Sequence, residues 1–117
     1  MPANPAAAQF LETSGGLSIH YTDHPPTGAE SGTLVFIHGS GPGASGWSNF
    51  KHNIAAFQVA GYRCVVYDQW GYGKTDKPTD IDHTLDFFVE GLTELLDGLA
   101  LQTVTLVGNS LGGAVAL

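Results

Sequence analysis

Apolar runs alternate with segments of helical periodicity along most of the chain. Residues 33–37 form a continuous apolar run, typical of a strand covered on both faces of a parallel sheet, and 63–67 and 103–107 predict two further strands. Residues 85–99 place apolar side chains on one helical stripe and acidic ones opposite, which predicts an amphipathic helix. A looser pattern predicts another helix over 47–60, ending at Gly61.

The segment before these strands predicts a β-hairpin. Residues 10–13 and 17–21 alternate in polarity around a turn at 14–16, and a polar loop follows over 23–32. We expect residues 1–9, rich in Ala and Pro, to be frayed. The element order is then a hairpin, β-α-β-α-β and a last helix, which predicts an α/β fold with a parallel sheet and right-handed crossovers.

The last helix begins near Leu111, and the sequence stops at Leu117. Such a short helix lies far below the ~12–15 residues at which isolated helices become marginally stable. We therefore expect residues 1–117 to be the N-terminal portion of one longer domain. Strand 103–107 would then expose an unpaired apolar edge in this portion, and because such edges recruit other chains, we expect it to aggregate or remain molten when expressed alone.

Charge and composition narrow the class of protein. The 117 residues suit one domain, and with 43% hydrophobic residues they can bury a core. The net charge of −7 argues against nucleic acid or an anionic membrane as a partner. The sequence has neither an apolar run of the ~20 residues that span a membrane nor the features of a signal peptide, so we expect a cytoplasmic protein. The single cysteine, Cys64, lies in an apolar run and is predicted to be buried and unreactive.

Residues 108–112 match the pattern G-x-S-x-G between a predicted strand and a predicted helix. This is the context of a nucleophile elbow, a sharp turn that lifts a serine hydroxyl above the sheet edge. A side chain at Gly108 or Gly112 would collide with the neighbouring turn. The pattern predicts Ser110 as a nucleophile and the backbone N–H of Leu111 as a donor to an oxyanion.

A second glycine-rich motif, His38-Gly39-Ser40-Gly41-Pro42-Gly43, directly follows the first apolar strand. In a fold with a nucleophile elbow, the loop at this position supplies the other oxyanion donor, which we assign to the N–H of Ser40. Pro42 would stiffen the loop. His38 is predicted to brace the loop by hydrogen bonding, with a role as catalytic base as the alternative.

Two other chemistries are alternatives to a nucleophilic serine. Residues 39–44 also satisfy G-x-G-x-x-A after a strand, and Asp68 ends the next strand, so a dinucleotide site is an alternative. His20, His24, His52 and His83 lack ligand-like spacing, so no metal is expected. The base and carboxylate that Ser110 needs follow the nucleophile in chain order, and we expect them beyond residue 117.

The motifs together resemble the α/β-hydrolase superfamily and, within it, the meta-cleavage product hydrolases, serine enzymes that cleave C–C bonds in bacterial aromatic degradation. Residues 38–49, HGSGPGASGWSN, resemble that family's oxyanion loop, H-G-[SG]-G-P-G-x-x-G-W-x-N, and residues 108–113, GNSLGG, resemble its elbow. Residues 68–76, DQWGYGKTD, resemble a D-x-x-G-x-G-x-S-D loop common in the superfamily. The resemblance covers nearly the whole chain but only the first part of a typical member. It implies an incomplete α/β-hydrolase fold that lacks the lid, the triad Asp and the triad His.

By this resemblance, Ser110 is the nucleophile, the amides of Ser40 and Leu111 form the oxyanion hole, and Gly41, Asn49 and Asn109 bind substrate. Asn49 and Asn109 could instead be turn and cap residues. The implied reaction splits a 2-hydroxy-6-oxo-hexa-2,4-dienoate-type anion without a cofactor. Neither motif contains Lys or Arg, so a compensating cation is expected in the missing part. The resemblance leaves the oligomeric state open, and a homo-oligomer is one of the alternatives for the full-length protein.

The same residues leave two other functions open, one enzymatic and one not, and exclude two branches of the superfamily. A serine at position 110 excludes the haloalkane dehalogenase and epoxide hydrolase branches, which use Asp as nucleophile. A carboxylesterase or lactonase of the same fold is the nearest alternative. A non-catalytic receptor on the hydrolase scaffold is the alternative from another class.

Overall fold

The computed structural model describes residues 8–41, 43–79 and 82–117. The strands in this part of the chain are β1 (Gln9–Glu12), β2 (Ser18–His24), β3 (Gly32–Ile37), β4 (Tyr62–Tyr67) and β5 (Thr105–Gly108). The helices are α1 (Gly46–Phe50), α2 (Ile54–Val59), α3 (Leu85–Gly98) and α4 (Leu111–Ala116).

The strands form one mixed sheet in the order β1-β2-β4-β3-β5. The hairpin pairs β1 with β2 in antiparallel register, and β2 is antiparallel to β4. β3 lies between β4 and β5 and is parallel to both. The predicted hairpin and the predicted parallel α/β sheet are therefore confirmed.

The helices cover opposite faces of this sheet. Alternate side chains of β3 and β4 pack against α1 and α2 on one face, through a cluster that includes Phe36, Phe50 and Ile54. The intervening side chains pack against α3 and α4 on the other face, in a cluster that includes Ile37 and Val115. The chain leaving β3 thus turns to one face, and the chain leaving β5 turns to the other. The two chain segments therefore diverge at the carboxyl ends of adjacent parallel strands, the position where α/β folds bind ligands.

Several predicted boundaries are wrong. The polar loop predicted from residue 23 begins two residues later, because β2 runs to His24, and β5 begins at Thr105 rather than at residue 103. Gln9, predicted to be frayed, is the first residue of β1 and pairs with Tyr21. Ala8 is exposed and lies outside β1, and residues 1–7 lie outside the described residues.

The single helix predicted over 47–60 is two short helices separated at residues 51–53. The N–H of Asn53 donates to the carbonyl of Phe50, an i to i−3 bond that tightens the chain into a 3₁₀-type turn. Asn is a weak helix former, because its side chain offers the backbone alternative hydrogen bonds. The break still leaves Phe50 and Ile54 buried on the same face of the sheet.

Cys64 is fully buried in β4, as predicted, and burial raises the pKa of its thiol to about 11. A thiol with this pKa carries little thiolate, the reactive form, at neutral pH. Within the described residues, the longest helix is α3, with 14 residues, and no helix is long and apolar enough to cross a membrane.

Candidate active site

The turn between β5 and α4 has the backbone of a strained elbow. Ser110 has φ 57° and ψ −110°, a combination that residues with a side chain rarely adopt. The N–H of Asn109 donates to the carbonyl of Ile37 at 3.1 Å, so the chain stays paired with β3 until one residue before the serine. Ser110 is exposed, whereas Gly112 two residues later is buried.

Both glycines of the elbow are required by close backbone approach, as predicted. A Cβ at Gly108 would overlap the carbonyl oxygen of Gly112, and a Cβ at Gly112 would overlap the carbonyl oxygen of Ile37. Side chains at these positions would push α4 away from the sheet. Gly113, by contrast, has room, since an added Cβ would meet only the carbonyl oxygen of Gly108, at 3.8 Å.

The glycine-rich loop (residues 38–46) lies directly against this elbow. A Cβ on Gly39 would stand 3.0 Å from the carbonyl oxygen of Asn109 and 3.4 Å from Cβ of Ser110. The fold therefore brings together the two motifs that the sequence predicted to form one site. The predicted stiffening role of Pro42 falls on a position outside the described residues.

Asn49 ties the loop to the elbow through one oxygen. Its Oδ1 accepts hydrogen bonds from the N–H of Gly39 at 2.9 Å and from Nδ2 of Asn109 at 3.0 Å. A backbone N–H can only donate, so the atom facing Gly39 must be the oxygen of the amide. Asn49 then keeps its Nδ2, a donor, for other partners, while Asn109 keeps its Oδ1, an acceptor.

The backbone N–H groups of Ser40 and Leu111, the predicted oxyanion donors, donate no hydrogen bond to any described residue. Ser40 lies in the loop and is exposed, and Leu111 is the first residue of α4, where helical N–H groups lack an internal acceptor. The neighbouring N–H of Gly39 is not available in this way, because Asn49 accepts from it. The pattern of used and unused amides is the one that the predicted oxyanion hole needs.

The hydrogen bonds of His38 are those of a residue that supports the loop and not those of a catalytic base. Its ring is fully buried; Nδ1 lies 2.8 Å from the carbonyl oxygen of Gly39, and Nε2 accepts from the N–H of Gln69 at 2.9 Å. Tyr72 packs edge-on against the ring at 5.0 Å between centroids. Burial lowers the pKa of His38, which keeps the ring neutral at pH 7. Both ring nitrogens are thus occupied.

Asp68, directly after β4, holds the start of α1 by hydrogen bonding. Its Oδ1 accepts from the N–H of Gly46 at 2.8 Å, and its Oδ2 accepts from the N–H of Lys74 at 2.9 Å and lies 2.8 Å from Nδ1 of His20. Asp68 is 3% exposed and both of its carboxylate oxygens are already bonded, so it is not free to bind a ribose.

The dinucleotide alternative is therefore wrong, and the sheet order is the second reason. In a dinucleotide-binding fold the third parallel strand lies beyond the second, whereas here β5 lies beside β3, the first parallel strand. α1 begins only at Gly46, after the glycines of the G-x-G-x-x-A match.

A cavity of about 480 Å³ lies elsewhere in the described part of the chain. It is lined by residues from β2, α1 and the chain after β4, among them His20, Trp47, Asp68 and Lys74, and by none of the predicted site residues. Ser110, Ser40 and Gly41 are instead exposed on an open surface. In the described part of the chain, no three His, Cys, Asp or Glu side chains are grouped so as to hold a metal ion.

Two supporting features were not predicted from the sequence. Ser45 and Ser48 form a reciprocal capping box at the start of α1, and this fixes the position of Asn49. The three-residue spacing of a capping box can be recognised in a sequence, although Ser48 stands where Glu or Gln is usual. Gln69, which holds His38 through both its backbone and its side chain, carried no signal, since it stands at a variable position of the motif over residues 68–76.

Comparison with known proteins places this geometry in a family. The chain is 46% identical over 107 residues to a 2-hydroxy-6-oxononadienedioate/2-hydroxy-6-oxononatrienedioate hydrolase of Paraburkholderia phymatum, covering 92% of this chain and 36% of that protein. It is similar in structure to the meta-cleavage product hydrolase CumD of Pseudomonas fluorescens, with a TM-score of 0.81 and 30% identity over 92% of this chain and 38% of that one. An esterase of Exiguobacterium antarcticum superposes with a TM-score of 0.79 and 26% identity over 94% of this chain and 38% of that one.

The chain spans 36% to 39% of the length of the curated relatives that it matches. Residues 34–117 match the Alpha/beta hydrolase family. This range contains the glycine-rich loop, the elbow and the parallel strands, except for the first two residues of β3. The chain belongs to the alpha/beta hydrolase family.

Proposed function

We propose that the whole protein is a serine-dependent hydrolase that cleaves the C5–C6 bond of a 2-hydroxy-6-oxo-hexa-2,4-dienoate-type compound. The observation that carries the serine-dependent chemistry is the strained, exposed Ser110 on an elbow that lies against the glycine-rich loop. The backbone N–H groups of Ser40 and Leu111 donate no hydrogen bond to any described residue, which supports the assignment. The substrate class is supported by the relatives, which are named hydrolases of 2-hydroxy-6-oxononadienedioate and 2-hydroxy-6-oxononatrienedioate. Fold similarity alone does not choose between this class and an ester, since the esterase superposes almost as well as the C–C hydrolase.

The chemistry divides into two steps. A C–C bond breaks heterolytically only if the carbon left behind is stabilised as a carbanion. Tautomerisation of the C2 enol to a ketone supplies this, because C5 is then conjugated through C3=C4 to the C2 carbonyl. Ser110, or a water that it activates, adds to the C6 carbonyl, and the oxyanion accepts hydrogen bonds from the N–H groups of Ser40 and Leu111. The C5–C6 electron pair is delocalised through C3=C4 onto the C2 oxygen, which takes a proton and so regenerates the 2-enol. C6 leaves as a carboxylic acid, directly when water adds and after hydrolysis of the acyl-serine by water when Ser110 adds.

The dienoate end of the substrate is assigned to Gly41, Asn49 and Asn109. Nδ2 of Asn49 and Oδ1 of Asn109 have no partner among the described residues. The first can donate to a carboxylate or enolate oxygen and the second can accept from a hydroxyl, both without adding charge. The names of the relatives place a second carboxylate on the chain attached to C6, so we propose a dianionic substrate. Hydrolysis of the nonadienedioate yields 2-hydroxypenta-2,4-dienoate and a four-carbon dicarboxylic acid.

The proposal is tested by turnover in the whole protein of three compounds: 2-hydroxy-6-oxonona-2,4-dienedioate, the analogue with a methyl group on C6, and p-nitrophenyl acetate. We expect kcat/KM to be highest for the dienedioate and at least about tenfold lower for the methyl analogue, since the site then loses one paired charge, worth about 1.5 kcal/mol or more. Loss of the dienoate absorbance and the release of both products are the measurements.

Labelling with a fluorophosphonate separates the alternatives. Stoichiometric labelling of Ser110 together with dienedioate cleavage supports the proposal. Labelling with ester turnover but no cleavage of either dienoate assigns the protein to the esterases. Absence of labelling in the folded whole protein favours a non-catalytic receptor.

A further inference from the structure

Gln69 and His38 are joined by two hydrogen bonds at the carboxyl ends of β4 and β3. The N–H of Gln69 donates to Nε2 of His38 at 2.9 Å, and Nε2 of Gln69 donates to the carbonyl oxygen of His38 at 2.8 Å. Both residues are at least 99% buried. Water therefore does not compete for these bonds, and leaving any of the donors unpaired would cost the desolvation energy of that group.

The bond from the Gln69 backbone fixes which ring nitrogen of His38 carries the proton. A backbone N–H cannot accept, so Nε2 must be unprotonated where it faces Gln69. In the neutral ring the proton then lies on Nδ1, which can donate to the carbonyl oxygen of Gly39 at 2.8 Å. Burial lowers the pKa of His38, in agreement with a neutral ring.

The carbonyl of Gly39 and the N–H of Ser40 belong to one planar peptide unit. In a trans peptide these two groups point in opposite directions, so holding the carbonyl against His38 fixes the direction of the Ser40 N–H. Rotation of this peptide changes ψ of Gly39 and φ of Ser40, and Gly39 has no Cβ to restrict its own ψ. The hydrogen bond from Nδ1 is what opposes that rotation.

We propose that His38 and Gln69 are positioning residues that hold the Gly39–Ser40 peptide with the Ser40 N–H directed to the oxyanion. Gln69 acts by imposing the Nδ1-protonated tautomer, and His38 acts by holding the Gly39 carbonyl. This inference rests on the proposed function, since it assigns a task to the same site.

Two variants of His38 separate positioning from simple packing. In His38→Asn, the amide Nδ2 takes the place of Nδ1 and can still donate to the Gly39 carbonyl, while the acceptor for the Gln69 N–H is lost. In His38→Gln, Oε1 takes the place of Nε2 and can accept from that N–H, while the donor to Gly39 is lost. Each variant gives up one buried hydrogen bond, so packing alone predicts similar effects from the two.

The proposal predicts different kinetics in the whole protein. His38→Gln should lower kcat by about 10²–10³, the effect of losing one oxyanion donor, with KM changed by less than about threefold. His38→Asn should lower kcat by no more than about tenfold, because the hydrogen bond to Gly39 that it keeps still directs the donor, whereas the one it loses is worth about 1.4 kcal/mol or less. Equal losses of kcat in the two variants, or a larger loss in His38→Asn, would overturn the proposal.

The rate of inactivation by a fluorophosphonate gives the same comparison without the dienoate substrate, because the phosphoryl oxygen uses the same two amides. If the wild-type protein is labelled but does not cleave dienoates, the proposed substrate is wrong, and the variants still test the positioning role. If either variant fails to show a cooperative thermal transition, nitrogen-15 NMR of His38 in the wild-type protein decides. A protonated Nδ1 with an unprotonated Nε2 supports the proposal, and the opposite tautomer overturns it.

Discussion

Replacing Ser110 with alanine lowers kcat of the whole protein by on the order of 10⁴–10⁶ and abolishes labelling by a fluorophosphonate. The loss is this large because the variant removes the only atom of residue 110 proposed to react, while the oxyanion donors are backbone groups and stay in place. The residual rate is then what those donors and substrate binding supply. Single-turnover measurement of dienedioate cleavage gives the comparison, with KM expected to change far less than kcat.

Ser14→Ala is the matched control for this experiment. Ser14 is exposed on the hairpin turn, and its hydroxyl donates a hydrogen bond to Glu94. Loss of an exposed hydrogen bond of this kind leaves kcat unchanged and stability within about 0.5 kcal/mol. A Ser110→Ala variant that is folded and retains more than about a tenth of the wild-type kcat would show that Ser110 is not the nucleophile.

Gly112→Ala is expected to destabilise the whole protein by at least about 3 kcal/mol, or to prevent it from folding. The added Cβ would overlap the carbonyl oxygen of Ile37 and lie 2.6 Å from its carbonyl carbon. Both atoms are backbone in a central strand, so neither can move as a flexible side chain would. Denaturant unfolding gives the change in the free energy of unfolding, and the soluble yield reports complete failure to fold.

Gly113→Ala, one residue further along α4, tests whether this effect comes from the specific contact. There the nearest atom to an added Cβ is 3.8 Å away, which is ordinary contact, and alanine gains about 0.5–1 kcal/mol over glycine in a helix. We expect Gly113→Ala to be neutral or slightly stabilising. Similar destabilisation by both substitutions would mean that α4 is not held against β3 in the way described.

The parts of the site that the sequence predicts are those set by local chain geometry. The elbow is recognisable because a G-x-S-x-G turn between strand and helix has few backbone solutions, and Ser110 adopts the strained one. The buried strands are recognisable because β3 and β4 must be apolar on both faces. The hairpin follows in the same way from its turn residues and alternation.

The parts that the sequence does not predict depend on contacts between distant residues. Gln69 reaches His38 only because β4 lies beside β3, and Asn49 joins Gly39 to Asn109 only after α1 has packed on the sheet. The break between α1 and α2 is missed for another reason, because the weak helix propensity of Asn53 is too small an effect for the sequence alone to decide between one helix and two. The hydrophobic periodicity of the chain carries no signal for these contacts or for the helix break.

In the proposed site, the Ser110 hydroxyl faces the N–H groups of Ser40 and Leu111. A crystal structure of the whole protein after reaction with a fluorophosphonate tests this arrangement most directly. We predict a covalent bond from Ser110 Oγ to phosphorus and a phosphoryl oxygen about 2.7–3.1 Å from both backbone nitrogens. Phosphorus on another residue, or a phosphoryl oxygen turned away from either amide, would contradict the account.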